Sequence, residues 1–411
     1  MMELFYRMLT RLVYWLVYPY GRIKAGRGSE VWRGRLGLID GGAPVDLWLH
    51  ASSVGEVKVV ANLVAMLRQR CPGLRLHVTT MTTKGQETAR DAFGDFAGVS
   101  YFPLDATPAV RRTLAALRPR IVIIAETEIW PNLVREAAPA VAIVLINGRM
   151  TEKALAGYRR ATGLMRTTLE RYDRLFFKSA EDASRFAGFG AGPPRGEVAG
   201  DMKFDTPLSE RSEQDRSELR RRLGASGRDF VLVAGSTRSG EESLLLDLFE
   251  RLRADGVPLR LVLAPRHVER SREIADLAAG RGLALSIYGD EGVQPIVLVD
   301  KMGLLGRLYL TADLAFVGGT LVDLGGHNLL EPVWAGAPVV FGPSVSNVRD
   351  AAEYIETNTY GARIESLSEL EAVVREVATG AKRFRIKSMA DAGASATATV
   401  TDYLVGKLGC G

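Results

Sequence analysis

The chain has 411 residues, enough for two buried cores, and carries 53 Lys and Arg against 48 Asp and Glu. Residues 1–35 hold seven of the basic residues (Arg7, Arg11, Arg22, Lys24, Arg27, Arg33, Arg35) and two of the acidic ones (Glu3, Glu30), and setting these aside leaves 46 of each sign. The excess is therefore one N-terminal patch, which argues against a general nucleic-acid surface. Cys71 and Cys410 show no spacing of a disulfide framework or a zinc site and fit a reducing cytoplasm. His50, His77, His267 and His327 are scattered, so neither a catalytic metal nor a cofactor is expected.

From Met1 to Tyr18, apolar residues (Leu4, Phe5, Met8, Leu9, Leu12, Val13, Leu16, Val17) recur at helical spacing, with Glu3, Arg7 and Arg11 on the other side. The run Leu12 to Gly21 is too short to cross a bilayer, and no small-residue cleavage site follows it. An amphipathic helix lying in a membrane interface is expected, with the cluster Arg22 to Arg35 beside it. The competing reading is a helix packed on its own domain.

After Pro44, strand and helix patterns alternate. Strands are expected at Val45–His50, Leu74–Thr80, Val99–Leu104, Ile121–Glu126, Val141–Asn147 and Arg174–Lys178. Residues 205–226 are charged and lack strand patterning, so a domain boundary falls near their start. The alternation then restarts at Phe230–Gly235, Leu259–Ala264, Pro295–Val299, Leu314–Val317 and Pro338–Phe341. The fold class is α/β, with two Rossmann-like, doubly wound domains (41–205 and 206–385) after an N-terminal helix and basic segment (1–40). A C-terminal helical stretch from about Met389 to Leu408, within 386–411, is expected to pack back on the N-terminal half.

In such sheets, functional groups gather at the carboxyl ends of the strands. Those ends carry Ser53, Gly55 and Glu56; Thr82 and Lys84; Glu126 and Glu128; and, in the second half, Ser236, Thr237, Arg266 and His267. Glu126 and Glu128 share a face for as long as the strand continues. Ser53 and Glu56 have capping-box spacing, as do Asn328 and Glu331. The stretch Leu314 to Gly336 reads as a strand, two Gly-Gly pairs (Gly318-Gly319, Gly325-Gly326) and a helix start, whose backbone N–H groups suit a phosphate.

Two such domains facing each other across a cleft describe a GT-B nucleotide-sugar transferase, a pattern that other Rossmann-like assemblies share, and the lack of an Asp-x-Asp pair counts against the metal-dependent single-domain type of glycosyltransferase. Without a metal, the leaving phosphate needs N–H groups, hydroxyls and cations such as Ser236, Arg266 and Lys203, and the acceptor hydroxyl needs a carboxylate base, for which Glu56 is the first choice. HASSVGEV (50–57), TTMTTKGQETA (79–89), AETEIWPNL (125–133), NGRMTEKALAGY (147–158), GDMKFD (200–205), APRHVER (264–270) and VGGTLVDLGGHNLLEP (317–332) resemble, in order, the 3-deoxy-D-manno-octulosonic acid (Kdo) transferases of lipopolysaccharide synthesis. The resemblance implies an inverting, metal-independent enzyme on the cytoplasmic face of the inner membrane of a Gram-negative cell, with CMP-Kdo as donor and the lipid A disaccharide precursor as acceptor. The first Rossmann-like domain would then take the acceptor and the second the CMP-sugar.

Carried over by the resemblance, Glu56 is the general base and Glu128 a supporting acid. Arg266 and His267 line the CMP site, Met302 and Gly303 approach the base, and Gly325, Gly326, Asn328 and Glu331 hold the ribose and phosphate end. Lys203, Ser236 and Thr237 neutralise the donor's phosphate or sugar carboxylate, and Ser53, Gly55, Thr82, Lys84 and Glu126 lie on the acceptor side. Arg238, Lys178, Asp201 and Leu304 depart from the residues usual in the family. His50 and His77 are expected to be structural, and Trp130 and Trp334 to pack. Competing readings are a GT-B enzyme with another nucleotide sugar, an epimerase, or a silent lipid-A-precursor binding protein.

Overall fold

The computed structural model describes residues 2–192, 194–205, 213–387 and 395–410. The expected boundary near 205 falls at 206–212, and the expected start of the last helix at Met389 within 388–394, both outside the described residues. The chain forms two units, Met1–Thr206 with Ala392–Gly411, and Pro207–Asp391.

The first unit opens on α1 (Met2–Gly26) and α2 (Glu30–Arg35). It then alternates through β1 (Leu47–His50), α3 (Val54–Arg70), β2 (Leu76–Thr80), α4 (Thr83–Phe93), β3 (Ala97–Tyr101), α5 (Thr107–Leu117), β4 (Ile121–Ala125) and α6 (Pro131–Ala137). It continues with β5 (Ala142–Gly148), α7 (Glu152–Arg159), α8 (Thr162–Leu169), β6 (Arg174–Phe177), α9 (Ala180–Ala187) and β7 (Gly196–Val198). Its parallel sheet runs β3-β2-β1-β4-β5-β6-β7, with Leu47 in register with Leu76 on one side and Ile121 on the other. Every residue of β1 and β4 is buried, as strands covered by helices on both faces must be.

The second unit begins with α10 (Glu213–Arg222), β8 (Phe230–Thr237), α11 (Glu241–Ala254), β9 (Leu259–Pro265), α12 (Ser271–Ala279), β10 (Leu285–Ile287) and β11 (Ile296–Leu298). It closes with α13 (Leu305–Leu308), β12 (Leu314–Val317), α14 (Leu330–Ala335), β13 (Val339–Phe341), α15 (Arg349–Thr357), β14 (Gly361–Arg363) and α16 (Leu367–Ala378). Its sheet is again parallel, ordered β10-β11-β9-β8-β12-β13-β14. Three edge strands, β7, β10 and β14, lie outside the sequence expectation. Each has three residues and lacks the unbroken apolar run that marks the equally short β11 and β13.

Helix α17 (Ala396–Leu408) belongs to the first unit. Its Val400, Leu404, Val405 and Leu408 share a core with Val57, Val60, Leu63 and Leu67 of α3. At the far end of α3, Cys71 is disulfide-bonded to Cys410, with Cα atoms 5.3 Å apart across 339 residues of sequence. This corrects the reading of two unrelated cysteines, since no local spacing could signal so distant a pairing.

Helix α1 is longer than expected and settles the question of its faces. Its inward stripe is largely polar. Tyr6 Oη donates to Asp105 (2.9 Å), Asn132 Nδ2 donates to Thr10 Oγ1 (2.9 Å), and Glu3 pairs with Arg171 (2.8 Å). Tyr14 is buried and accepts from Arg112. The opposite face carries Phe5, Met8, Leu9, Leu12, Leu16 and Ile23 to the outside, with Phe5 67% and Leu16 71% exposed. So the helix both packs on its unit and presents an apolar face. No helix among the described residues is long and apolar enough to cross a membrane. Arg35, counted in the basic cluster, instead turns inward and donates to the carbonyls of Met81 (3.0 Å) and Phe102 (3.1 Å).

His77 on β2 is buried, with Nε2 against Ser100 Oγ at 2.8 Å, and burial pushes its pKa down to about 4. The unfolded chain binds that proton below about pH 6.5 while the folded chain refuses it until about pH 4, so stability falls as pH drops through this window. From pH 7.5 to pH 5 this one group costs about 2 kcal/mol. Urea melts at the two pH values should show a smaller acid-side loss, by about that amount, in His77→Gln than in the parent.

Candidate functional site

In the first unit, polar residues collect where β1, β4 and β5 end. After His50 the chain leaves the sheet, and Ser53 caps α3 by accepting from the N–H of Glu56 at 3.4 Å. The Glu56 carboxylate turns back and accepts from Ser52 N–H (2.7 Å), Ser52 Oγ (2.7 Å) and Ser53 Oγ (3.1 Å), and is 8% exposed. This is a capping box shifted by one residue, because the carboxylate takes the N–H before the cap rather than that of the cap itself. Glu56, the candidate base, is thus also part of the cap of α3. Gly55 beside it meets only Ser53 Oγ, at 3.9 Å, so packing alone does not demand a glycine there.

Glu126 and Glu128 do not share a face. The strand ends at Ala125, and Glu126 takes a left-handed conformation (φ 60), which sends the two carboxylates to different partners. Glu128 Oε2 meets Nε2 of the fully buried His50 at 2.5 Å and accepts from Trp130 Nε1 at 3.2 Å. Burial opposes its charge, but the His50, Ser52 and Trp130 hydrogen bonds and the His50 charge hold its pKa below the usual carboxylate value. Glu126 goes the other way. Burial, then the charges of Glu56 and Asp201, raise its pKa against the pull of Arg149 and Lys178.

Two departures from the family pattern meet here, since Lys178 Nζ lies 2.8 Å from Asp201 Oδ2. The two opposite charges form an ion pair, so each offsets the other. Asp201 Oδ1 also accepts from the backbone of Lys203, whose own side chain is exposed on this unit. Thr82 caps α4 by accepting from Gly85 N–H (3.0 Å), and Lys84 is exposed on the first turn. Among the described residues no hydrogen bond or ion pair joins either of them to Glu56, Glu126 or Glu128.

In the second unit the glycine loop differs from its expectation. The N–H groups of Gly319, Thr320 and Leu321 are not open to a ligand. Glu241, at the start of α11 and fully buried, accepts from Gly319 (2.8 Å), Thr320 (3.2 Å), Leu321 (3.1 Å) and Arg238 (2.9 Å). Gly325 N–H donates to Ser344 Oγ, and Gly326 N–H to the carbonyl of Gly319, each at 2.8 Å. The glycines are needed for space. A Cβ on Gly318 would stand 2.5 Å from the Cα of Thr237, and Gly325 combines φ 77 with Asn347 Nδ2 at 2.4 Å from such a Cβ.

The capping box expected at Asn328 is also displaced. Helix α14 starts at Leu330, whose N–H donates to Asn328 Oδ1 (3.2 Å), while Asn328 Nδ2 donates to Glu331 Oε1 (3.2 Å). Ser236 has φ 55 at the end of β8, and Thr237 beside it is wholly buried with no hydrogen-bond partner for its hydroxyl. Met302 is exposed and Gly303, with φ 83, turns the chain after β11. Trp334 packs in α14 with its indole N–H buried and unpartnered.

Positive charge gathers instead on side chains. Arg238 Nε donates to His327 Nε2 (3.0 Å), and its Nη1 lies 2.7 Å from His267 Nε2. Burial, then Arg238, Arg266 and His267, hold the His327 pKa below its usual value, so it accepts as a neutral imidazole. Arg266 and His267 are exposed beside this cluster, which suits an anion. The sequence reading passed over Glu241, His327 and Ser52. Only the Glu-Glu pair opening a helix after Ser-Thr-Arg hinted at the first.

A family model described as 3-deoxy-D-manno-octulosonic-acid transferase (kdotransferase) matches residues 30–206. The chain is 32% identical over 367 residues to a 3-deoxy-D-manno-octulosonic acid transferase of Bordetella pertussis, covering 84% of this chain and 83% of that one. It is 33% identical over 340 residues to a bifunctional glycosyltransferase/methyltransferase of Fusobacterium nucleatum, covering 80% of this chain but 52%, about half, of that relative. Among solved structures, a UDP-GlcNAc 2-epimerase from Neisseria meningitidis overlays with a TM-score of 0.53 at 12% identity, covering 88% of this chain and 99% of that one. At that identity the likeness is one of fold.

The buried Glu241 carboxylate is the feature here most open to a stability test. Glu241→Ala leaves four N–H groups without an acceptor, at roughly 1–3 kcal/mol for each that water cannot reach. Urea melts should show the unfolding free energy lowered by about 4 kcal/mol or more, with Glu241→Asp, one methylene shorter, recovering only part.

Proposed function

The chain belongs to the Kdo transferase family, and from that premise we propose that it moves Kdo from CMP-Kdo to the lipid A disaccharide precursor, with Glu56 taking the proton of the attacking hydroxyl. The observation that carries this reading is the setting of Glu56. Three donors fix its carboxylate at the carboxyl end of β1, beside Glu126, where a doubly wound sheet presents its reacting groups. A positioned carboxylate suits general base catalysis of attack by a primary hydroxyl.

In this reading the acceptor oxygen forms a bond to the anomeric carbon of Kdo as the bond to the phosphate oxygen of CMP breaks, with inversion. The departing CMP gains negative charge, and the Arg238, Arg266, His267 and His327 cluster of the second unit is the group that fits it. The glycine loop contributes shape, since Glu241 already occupies its donors. Arg238 keeps a donor where the family usually has His and adds a permanent charge. The apolar face of α1 seats the enzyme on the cytoplasmic side of the inner membrane, where such a lipid acceptor lies.

Two measurements test this. With CMP-Kdo and the tetra-acylated disaccharide, mass spectrometry should show the lipid gaining whole Kdo units. Glu56→Gln should lower the rate by about 10²–10⁴-fold while CMP binding by calorimetry stays within about twofold of the parent. A variant that transfers as fast as the parent removes Glu56 from this role. Separately, serine at Phe5, Leu9, Leu12 and Leu16, all exposed on α1, should weaken co-sedimentation with anionic vesicles by more than about tenfold while leaving the melting temperature nearly unchanged.

A further inference from the structure

The polar stripe of α1 passes the loop that carries Glu128. That loop, Glu126 to Trp130, hangs between the end of β4 at Ala125 and the start of α6 at Pro131. Its last residue is tied back to the site, because Trp130 Nε1 donates to Glu128 Oε2 (3.2 Å) and the indole packs on Phe102 with ring centroids 4.9 Å apart. Pro131 has no N–H, so the first free donors of α6 are the N–H groups of Asn132 and Leu133. Both go to the buried Asp105 carboxylate, at 3.0 and 2.8 Å.

Helix α1 closes this arrangement from outside. Tyr6 Oη donates to Asp105 Oδ2 at 2.9 Å, the oxygen that also takes the Asn132 N–H. One turn on, the Thr10 hydroxyl spends its hydrogen on the Tyr6 carbonyl (2.9 Å) and so meets Asn132 as an acceptor. The Asp105 carbonyl can only accept. The Asn132 amide, 2% exposed, therefore divides its two N–H bonds, one to Thr10 Oγ1 at 2.9 Å and one to the Asp105 carbonyl at 2.6 Å. A helix that had only to stay on its unit could do so by apolar packing, which tolerates sliding. Hydrogen bonds to buried groups fix its register against α6.

We propose that Tyr6 and Thr10 are positioning residues for transfer, holding the Glu126–Trp130 loop through Asp105 and Asn132, so that α1 is a working part of the site as well as its seat on the membrane. The inference rests on the reading of the chain as a Kdo transferase in which Glu128 takes part. Without this latch, water competes for the N–H groups that start α6, and the loop loses its fixed end at Trp130. Glu128 then samples positions away from His50, and the cost falls on the chemical step and not on binding.

The test uses the full chain with CMP-Kdo and, as acceptor, the disaccharide with its acyl chains removed, in buffer without lipid or detergent. Seating on a membrane plays no part in this assay, so a change in rate is not a change in anchoring. Tyr6→Phe and Thr10→Val each remove one hydrogen-bonding atom and keep the shape of the side chain, and Thr10→Ser keeps the acceptor. Tyr6→Phe and Thr10→Val should each lower kcat by about tenfold or more. The acceptor KM and the CMP affinity by calorimetry should stay within about twofold of the parent, and Thr10→Ser should restore most of kcat. Hydrogen exchange read by mass spectrometry should be faster by about tenfold in the variants at residues 127–133, with α3 unchanged.

Unchanged kcat in the folded variants, a loss carried by KM instead, or unchanged exchange at 127–133 overturns the latch and leaves the transfer reaction standing. If one variant does not fold, the other decides, and if the parent accepts only the acylated disaccharide, the exchange measurement decides. No transfer by the parent to either acceptor overturns the transferase reading, and this inference with it.

Discussion

A buried carboxylate that gathers backbone N–H groups is the interaction on which both units depend. Loops at strand ends have left the sheet ladder, and their amides must find other acceptors or pay for dehydration. Here the acceptors are acidic side chains on the neighbouring elements. Asp105 takes the N–H groups of Asn132 and Leu133, Asp182 that of Met150, Asp313 that of Val231, and Glu241 those of Arg238, Gly319, Thr320 and Leu321. Glu56 belongs to the same set through Ser52. The carboxylate proposed as the base is thus also a structural device of the fold.

That origin explains why the charges divide as they do. In the first unit, burial and then the like charges of Glu56 and Asp201 raise the pKa of Glu126, whereas at Glu128 burial is outweighed by the hydrogen bond and charge of His50, which lower it. Two buried carboxylates two residues apart acquire opposite tendencies because burial prevails at Glu126, which lies among like charges, while a histidine offsets it at Glu128. In the second unit, the internal anion Glu241 satisfies the loop, and the cations that remain for a ligand are side chains, Arg238 and Arg266. A guanidinium held by two imidazoles is placed without being neutralised.

The alternation of strand and helix was legible because buried parallel strands such as Ile121–Ala125 are short unbroken apolar runs. The polar loops that carry the candidate residues were legible for the same reason, as interruptions after those runs. What could not be read was the pairing. Glu128 finds His50 and Glu241 finds Gly319, each across 78 residues, and nothing in the local pattern marks such partners. The glycine loop misled because Gly-Gly pairs announce close approach of backbone without saying what approaches. At Gly318 it is the neighbouring strand at Thr237. The disulfide was hidden in the same way, and the edge strands Gly-Glu-Val, Leu-Ser-Ile and Gly-Ala-Arg lack the apolar run that marks β11 and β13.

The last helix has a consequence for how the molecule is made. Helix α17 supplies Val400, Leu404 and Leu408 to the core beneath α3, and α3 carries Glu56 at its other end. A ribosome delivers residues 54–70 more than three hundred residues before their covering, with the whole second unit emerging in between. The first unit therefore closes after the second has emerged although it is started first, and a nascent chain released before residue 396 is left with an apolar groove where α17 should lie. A product that stops short of α17 lacks the packing that supports α3.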